Sequence, residues 1–305
     1  MAYQEDIALM AHLMRRAGFG AGRDELEARV ARGYEATVEE LLHPETQPAV
    51  DVYTLLRYQP ASLLPGGQPP MGNVNVMYHL VNTKRPLEEK MALFWHHVFA
   101  TGNSKVDNYD QLLEQIGLFR QHGMENYRDL LVTIARNPTM IFWLDNNQNH
   151  GTAVNENWGR ELLELFSMGV GAYTEKDVRE ASRAFTGWTF ETKIPRLPYG
   201  RFPWQVEYRP EDHDDGEKEV LGHRGRLNGA DHIDIVGEAA AGARQGSPGG
   251  RLTTPGAAAA APGSCRGGGG GGGGRGGGGG AAGGGGGPPG GGGGGRPANP
   301  RGKTP

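Results

Sequence analysis

Apolar residues recur every three or four positions along most of the chain up to Val236, the spacing that places side chains on one face of an α-helix. Glycine follows several of these segments, as at Gly18, Gly33 and Gly123, where a helix can end because glycine accepts a left-handed backbone. The pattern predicts a mainly α fold, an irregular orthogonal bundle of helices. The helices are predicted over residues 5–17, 23–32, 35–42, 71–82, 87–100, 108–122, 126–136, 156–168 and 175–186.

Three segments depart from this pattern. Residues 43–70 contain six prolines and no long periodic stretch, which predicts an extended loop with one helical turn. Residues 145–157, the Asn-rich segment, favour turns and helix caps because the short amide side chain competes for backbone groups. Residues 188–191 and 204–208 alternate weakly between apolar and polar, so a small β-hairpin excursion is predicted between residues 188 and 222.

Composition divides the chain after Val236. Residues 237–305 hold 32 of the 52 glycines, seven Lys or Arg, one acidic residue and no aromatic residue. A segment of this kind buries too little apolar surface to offset the loss of chain entropy on folding. We therefore expect a helical domain over 1–236 and a disordered Gly/Ala/Pro/Arg-rich tail over 237–305.

The tail begins inside what looks like the first turns of a helix, at residues 231–236. The leading hypothesis for the Gly/Ala/Pro/Arg composition of the tail is a reading-frame shift in a G+C-rich gene. If the frame has shifted, the helical domain is incomplete. An Arg-Gly tail that binds RNA is the alternative, but the arginines are sparse and no aromatic side chain is present to stack on bases.

Charge and cysteine content exclude several classes of function. Residues 1–236 carry 24 Lys and Arg against 34 Asp and Glu, so no nucleic-acid partner is expected for the folded part. The single cysteine, Cys265, lies in the tail, which excludes a disulfide, a thiolate nucleophile or a Cys-ligated zinc in the domain. No apolar run is long enough to span a membrane, and the acidic N-terminus lacks signal-peptide features, so the predicted location is the cytoplasm. A protein partner is compatible with all of this.

The helix predicted over 156–168 carries the densest charge pattern. Glu156, Arg160 and Glu164 lie four residues apart on one stripe, and Asn157 and Glu161 form a second stripe beside it. One interpretation is a solvated ladder of salt bridges, which stabilises a helix weakly. The other is a site, because carboxylates with an arginine between them can bind a cation, a sugar or a phosphate.

Histidines supply the remaining candidate chemistry. His96 and His97 point about 100° apart on a helix, so one metal rarely takes both, and Glu89 with His96 is the better pair. His213 and Asp214 lie in a polar loop, where they form either a turn closed by Gly216 or a pair for metal binding or acid–base work.

The sharpest hypothesis is that these groups meet in one cleft. The candidate catalytic residues are then Glu156, Arg160, Glu161, His213 and Asp214. The candidate ligands of a divalent metal are His96, Glu156 and His213. The glycines of residues 18–22, in contrast, follow a helix rather than a strand, so we interpret them as a helix end and a tight turn, not as a phosphate-binding loop.

Four groups of motifs in order along the chain resemble the bacterial family called domain of unknown function 1800. The motifs are HLMRRAGFGA at 12–21 with GYEATV at 33–38, EKMALFWHHVFAT at 89–101, NENWGRELLELF at 155–166 with YTEKDV at 173–178 and RAFTGW at 183–188, and HDDGEK at 213–218 with Leu221 and Gly222. The resemblance implies a mainly helical fold and no established activity. It also implies that relatives continue past the point matching Val236, so we expect the second half of the domain to be missing.

Two hypotheses for function remain open. One is a helical scaffold or interaction domain whose polar motifs are structural. The other is a metal- or acid–base-dependent hydrolase that uses the cleft described above. The family pattern often places a second histidine two positions after the first, where this chain has Val98, and this weakens a two-histidine metal site.

Overall fold

Thirteen α-helices and two short β-hairpins make up the part of the chain that the computed structural model describes, residues 2–58, 69–192 and 203–245. This confirms the mainly α prediction. The helices are α1 Ala2–Ala17, α2 Arg23–Arg32, α3 Tyr34–Leu42, α4 Val52–Tyr58, α5 Pro69–Asn82, α6 Pro86–Val98, α7 Asn103–Val106, α8 Tyr109–His122, α9 Tyr127–Ala135, α10 Pro138–Trp143, α11 Asn157–Glu164, α12 Glu175–Ala184 and α13 Gly229–Gln245.

Most predicted helices are present within a few residues of their expected ends, but two segments differ. The segment predicted as an extended loop contains α4, a helix of two turns, and residues 59–68 of that segment lie outside the described residues. Helix α11 ends at Glu164 rather than at 168, because the backbone N–H of Phe166 bonds back to the carbonyl of Glu161. Leu165, the first residue after the helix, is 39% exposed.

The apolar core of the described chain is divided into clusters. The largest joins helices α6, α8, α9, α10, α11 and α13 to the segment after α12, and aromatic side chains dominate it, among them Phe99, Phe119, Trp158, Phe185 and Trp188. A second cluster joins α1, α2 and α3 through Ile7, Met10, Met14, Leu26 and Leu41. Helices α11 and α12 approach closely at Gly159, where a Cβ atom would collide with Ser182. This contact fixes the polar segments that precede and follow the two helices.

The β structure consists of two antiparallel hairpins. Strand β1 (Trp188–Thr192) pairs with β2 (Trp204–Tyr208), with Trp188 opposite Tyr208, so the predicted hairpin is confirmed. Strand β3 (Lys218–Val220) pairs with β4 (His223–Gly225) through a turn in which Leu221 and Gly222 both have positive φ. Three-residue strands show too little alternation to be detected in a sequence.

Helix α13 contains Val236, the position after which the composition of the chain changes. The helix runs from Gly229 to Gln245, past the position where the periodic pattern ends. Ile233 and Val236 are buried, whereas Gly237 and Glu238 are exposed, so the apolar pattern stops where the helix leaves the core. The alanines that follow sustain the helix because alanine has the highest intrinsic helix propensity. The predicted disorder of the rest of the tail falls on residues 246–305, outside the described residues.

None of the helices in the described ranges combines the length and the apolar character that a bilayer crossing requires.

Candidate functional site

The Asn-rich segment is a buried polar connector. Asn146 and Asn149 are only 3% and 2% exposed. The amide of Asn146 donates to the carbonyls of Phe185 (3.2 Å) and Trp188 (2.8 Å), and the amide of Asn149 donates to the carbonyl of Ser182 (2.8 Å). The last carbonyls of a helix have no partner within the helix. The two asparagines therefore satisfy the end of α12 and the entry to β1.

The same segment binds the loop that follows β2. Nδ1 of His150 lies 2.5 Å from Oδ2 of Asp212, and the backbone N–H of Gly151 donates to the carbonyl of Asp212 at 2.9 Å. A Cβ atom on Gly151 would lie 3.0 Å from that carbonyl, so the close approach favours glycine. Sequence reasoning missed the His150–Asp212 pair because the two residues are 62 positions apart. The polar residues around each of them were the only signal in the sequence.

His213 and Asp214 are held by the end of α12. Nδ1 of His213 lies 2.8 Å from the carbonyl of Thr186, a contact in which only the ring N–H can donate. The carboxylate of Asp214 accepts from Nε and Nη2 of Arg183 at 2.6 and 3.1 Å. Hydrogen bonding to Arg183 holds the pKa of Asp214 below its usual value. Asp214 is therefore an ionised partner of Arg183 and not a poised proton donor.

The charge stripe of α11 forms a ladder that continues to α12. Glu156 directly precedes the helix, and its carboxylate lies 3.5 Å from Nη2 of Arg160. Arg160 makes its shorter contacts with Glu175 of α12, at 2.9 and 2.6 Å. Glu156 is 40% and Glu175 is 75% exposed at the side chain, so these are solvent-screened surface pairs.

Glu161 has a different environment from the rest of the stripe. Burial raises the pKa of Glu161, and the nearby carboxylate of Glu164 raises it further. Glu164 itself accepts a hydrogen bond of 2.6 Å from the hydroxyl of Tyr173. A carboxyl group that protonates more readily than usual can act as an acid, but burial beside a second carboxylate accounts for the shift without any substrate.

His96 lines a cavity of about 250 Å³ between α5, α6 and α8, the α5–α6–α8 cavity. Glu89 and Arg120 line the same space, which confirms that Glu89 and His96 share a face of α6. Oε1 of Glu89 accepts from Nε of Arg120 at 2.8 Å and lies 3.4 Å from Nδ1 of His79. Burial acts to raise the pKa of Glu89, but the hydrogen bond from His79 and the charge of Arg120 outweigh it and lower the pKa.

The residues proposed as metal ligands are not brought together. His96 lies in the α5–α6–α8 cavity, Glu156 precedes α11, and His213 contacts Thr186. Within residues 2–58, 69–192 and 203–245, no group of three or more His, Cys, Asp or Glu side chains is arranged to hold a metal ion. His96, Glu156 and His213 therefore do not form the three-ligand site that was hypothesised.

The glycine-rich turn after α1 ends a helix, as predicted. The backbone N–H of Gly20 bonds to the carbonyl of Met14 at 3.0 Å, and Gly20 has a φ of 90°. A residue with a side chain is strained at this φ, so glycine is required by the turn and not by a phosphate.

Comparison with known proteins identifies the family of the chain. Residues 12–245 match the family model described as "Protein of unknown function (DUF1800)". No curated protein and no solved structure matches the chain. The matched range takes in α13 to its last residue and every motif on which the resemblance rests. The chain therefore belongs to the DUF1800 family of proteins of unknown function.

Proposed function

We propose that this chain is a helical scaffold that binds a protein partner, and that its polar motifs hold the fold together. One observation carries the proposal: Asp214 and Arg160, two of the polar groups that were candidates for catalysis, are engaged by internal partners. Asp214 is bound by Arg183, and Nδ1 of His213 contacts the Thr186 carbonyl. An ionised carboxylate held by an arginine has no proton to give, and the contact with the Thr186 carbonyl fixes the orientation of the His213 ring.

The positions of these contacts support a structural role. Asn146, Asn149 and Thr186 are buried, and each bonds backbone or side-chain groups at the end of α12 or in the loop after it. Removing the amide of Asn146 takes its hydrogen bond from the buried Trp188 carbonyl, and an unsatisfied buried acceptor costs about 1–3 kcal/mol. These bonds account for the burial of Asn146 and Asn149 in the Asn-rich segment.

Exposed apolar side chains on α5 and α6 offer a surface to a protein partner. Met77 and Val81 of α5 are 57% and 76% exposed, and Leu93 and Phe94 of α6 are 38% and 42% exposed. The two helices are consecutive and pack against each other. Large apolar side chains exposed on neighbouring helices are typical of a protein-interaction surface.

For the organisation of the chain, we propose a helical body followed by a Gly/Ala/Pro/Arg-rich segment. Helix α13 and the family match both reach residue 245, which supports a helical body that extends beyond Val236. The cytoplasm remains the proposed location.

The scaffold proposal is tested with Glu156→Gln and Asp214→Asn in the full chain, with Glu211→Gln as an exposed control. Asp214→Asn should lower the free energy of unfolding by about 1 kcal/mol, because Arg183 loses an ionised partner that is one-fifth exposed. Glu156→Gln should cost less than about 0.5 kcal/mol, as expected for a surface pair. Hydrolysis of 4-nitrophenyl acetate and 4-nitrophenyl phosphate should be at the buffer rate for all four proteins. Hydrolysis by the wild type that either variant abolishes, with the unfolding midpoint unchanged, would establish an enzyme instead.

A further inference from the structure

The α5–α6–α8 cavity combines an apolar wall with buried polar groups. Met77, Leu93 and Ile116 contribute apolar surface, while Glu89, His96 and Arg120 contribute polar atoms. A dry cavity in a protein is normally apolar throughout, and polar groups that line a space of this size indicate water or a ligand. The polar groups in its wall therefore distinguish the α5–α6–α8 cavity from an apolar packing defect.

Two polar atoms at the cavity have no partner in the described part of the chain. Nη2 of Arg120 and Nδ1 of His96 are both buried, and neither makes a hydrogen bond there. Arg120 uses its Nε to bind Glu89, so Nη2 is a donor left over after the ion pair is made. A buried polar group without a partner is costly, and a molecule that supplies the missing hydrogen bonds recovers that cost on binding.

The charges at the cavity select the type of ligand. Glu89 is 3% exposed at its side chain and is paired with Arg120, so the two formal charges cancel. An anion would add an uncompensated negative charge beside the Glu89 carboxylate, and a cation would add a positive charge beside the Arg120 guanidinium. Either ion would also lose hydration energy on entering the cavity. A neutral molecule with a carbonyl oxygen accepts from Nη2 without disturbing the pair.

We propose that the α5–α6–α8 cavity binds a small neutral organic molecule with an apolar body and a carbonyl oxygen, which accepts a hydrogen bond from Nη2 of Arg120. His96 supplies the second polar contact, since its Nδ1 accepts or donates according to the tautomer of the ring. The cavity exceeds the roughly 150 Å³ that accommodates benzene in an engineered protein, so a single substituted aromatic ring fits. This site is separate from the polar network on which the scaffold proposal rests.

The experiment measures binding of matched probes to the full chain by isothermal titration calorimetry and ligand-observed NMR. Benzamide offers the neutral carbonyl, benzoate the anion, and toluene the apolar ring alone. We expect benzamide to bind with a dissociation constant of about 1 mM or tighter. Toluene and benzoate should each bind at least about tenfold more weakly, because each lacks one part of the match.

Variants locate the site and distinguish its parts. Leu93→Trp fills the cavity and should abolish benzamide binding, whereas Phe94→Trp, on the adjacent residue of α6 that does not line the cavity, should leave binding unchanged. Met77→Trp is the second filling variant if Leu93→Trp loses its helical circular dichroism. Arg120→Lys keeps a charge opposite Glu89 but removes the Nη2 donor, and it should weaken benzamide by about tenfold.

Four results would overturn the proposal. The first is that the wild type binds no benzamide at millimolar concentration, and the second is that the folded filling variants bind it as well as the wild type does. Equal affinity for toluene would remove the role of Arg120, and tighter binding of benzoate would show that the ligand is an anion. These results leave the structural roles proposed for Asp214 and Asn146 intact, because none of the variants changes either residue.

Discussion

Two regions of this molecule bury polar side chains, and the fold treats them in opposite ways. Around the Asn-rich segment, the amides of Asn146 and Asn149 each bond a backbone carbonyl, and Asp214 is bound by Arg183. At the α5–α6–α8 cavity, Nδ1 of His96 is buried without a partner in the described chain. Polar residues in an unusual sequence pattern can thus be structural, while a histidine in an ordinary helix retains an unused bonding site.

In this chain, whether a buried polar group is hydrogen-bonded is a better guide to its role than the sequence around it. The Asn-rich segment has an unusual composition, yet the side chains of Asn146 and Asn149 bond the end of α12 and the entry to β1. His232 adds a third case to the two regions. It is fully buried, and both ring nitrogens lack partners in the described chain.

The largest effect is expected from His232 when the pH is lowered. Burial lowers the pKa of His232 from 6.5 to about 4. The unfolded chain therefore takes up this proton first, so stability is complete above pH 6.5 and is lost as the pH falls toward 4. The full loss is about 3 kcal/mol, at 1.36 kcal/mol for each unit between the two pKa values.

The test compares denaturant unfolding of the wild type and His232→Leu near pH 7 and near pH 4.5. Carboxylates and other histidines also titrate in this range, and the matched variant removes their contribution from the difference. The variant should lose markedly less stability than the wild type on acidification. Parallel losses in the two proteins would show that His232 becomes protonated within the fold and that its ring finds a partner.

A smaller effect, about 2 kcal/mol, is expected for Asn146→Ala in the paired region. The substitution leaves the carbonyls of Phe185 and Trp188 buried without the amide that bonds them. Asn103→Ala, at an exposed asparagine of α7, is the matched control and should change the unfolding midpoint little. If both variants were equally stable, water would be replacing the amide, and the Asn-rich segment would have to be explained by a function.

Local patterns in the sequence predicted what depends on local contacts. The ends of α2 and the β1–β2 hairpin follow from residues close together in the chain. Asn146 and Phe185 are 39 residues apart, so no periodicity reveals that they bond.

The α5–α6–α8 cavity illustrates the same limit. The seven-residue spacing of Glu89 and His96 placed them on one face of α6, which is a property of the helix alone. Arg120 of α8 neutralises Glu89 because of the way in which α6 and α8 pack. The spacing of charges within either helix does not predict this packing. The metal site of His96, Glu156 and His213 was hypothesised without such a packing constraint, because it joined the three residues by their chemistry alone.

The smallest effect is expected for His96→Leu, which sharpens the contrast with Asn146. The substitution removes a buried nitrogen that bonds nothing in the described chain, so no partner is left unsatisfied. Burial already lowers the pKa of His96 and favours the neutral ring, so no charge is lost near neutral pH. Replacing an unpaired polar group by an apolar one of similar size is nearly neutral or stabilising. The unfolding free energy should therefore stay within about 0.5 kcal/mol of the wild type near pH 7 or rise.

His97→Leu, on the exposed neighbouring residue, controls for the change in helix propensity. A loss comparable to that of Asn146→Ala would mean that His96 is paired through bound water, and that the two regions are alike after all.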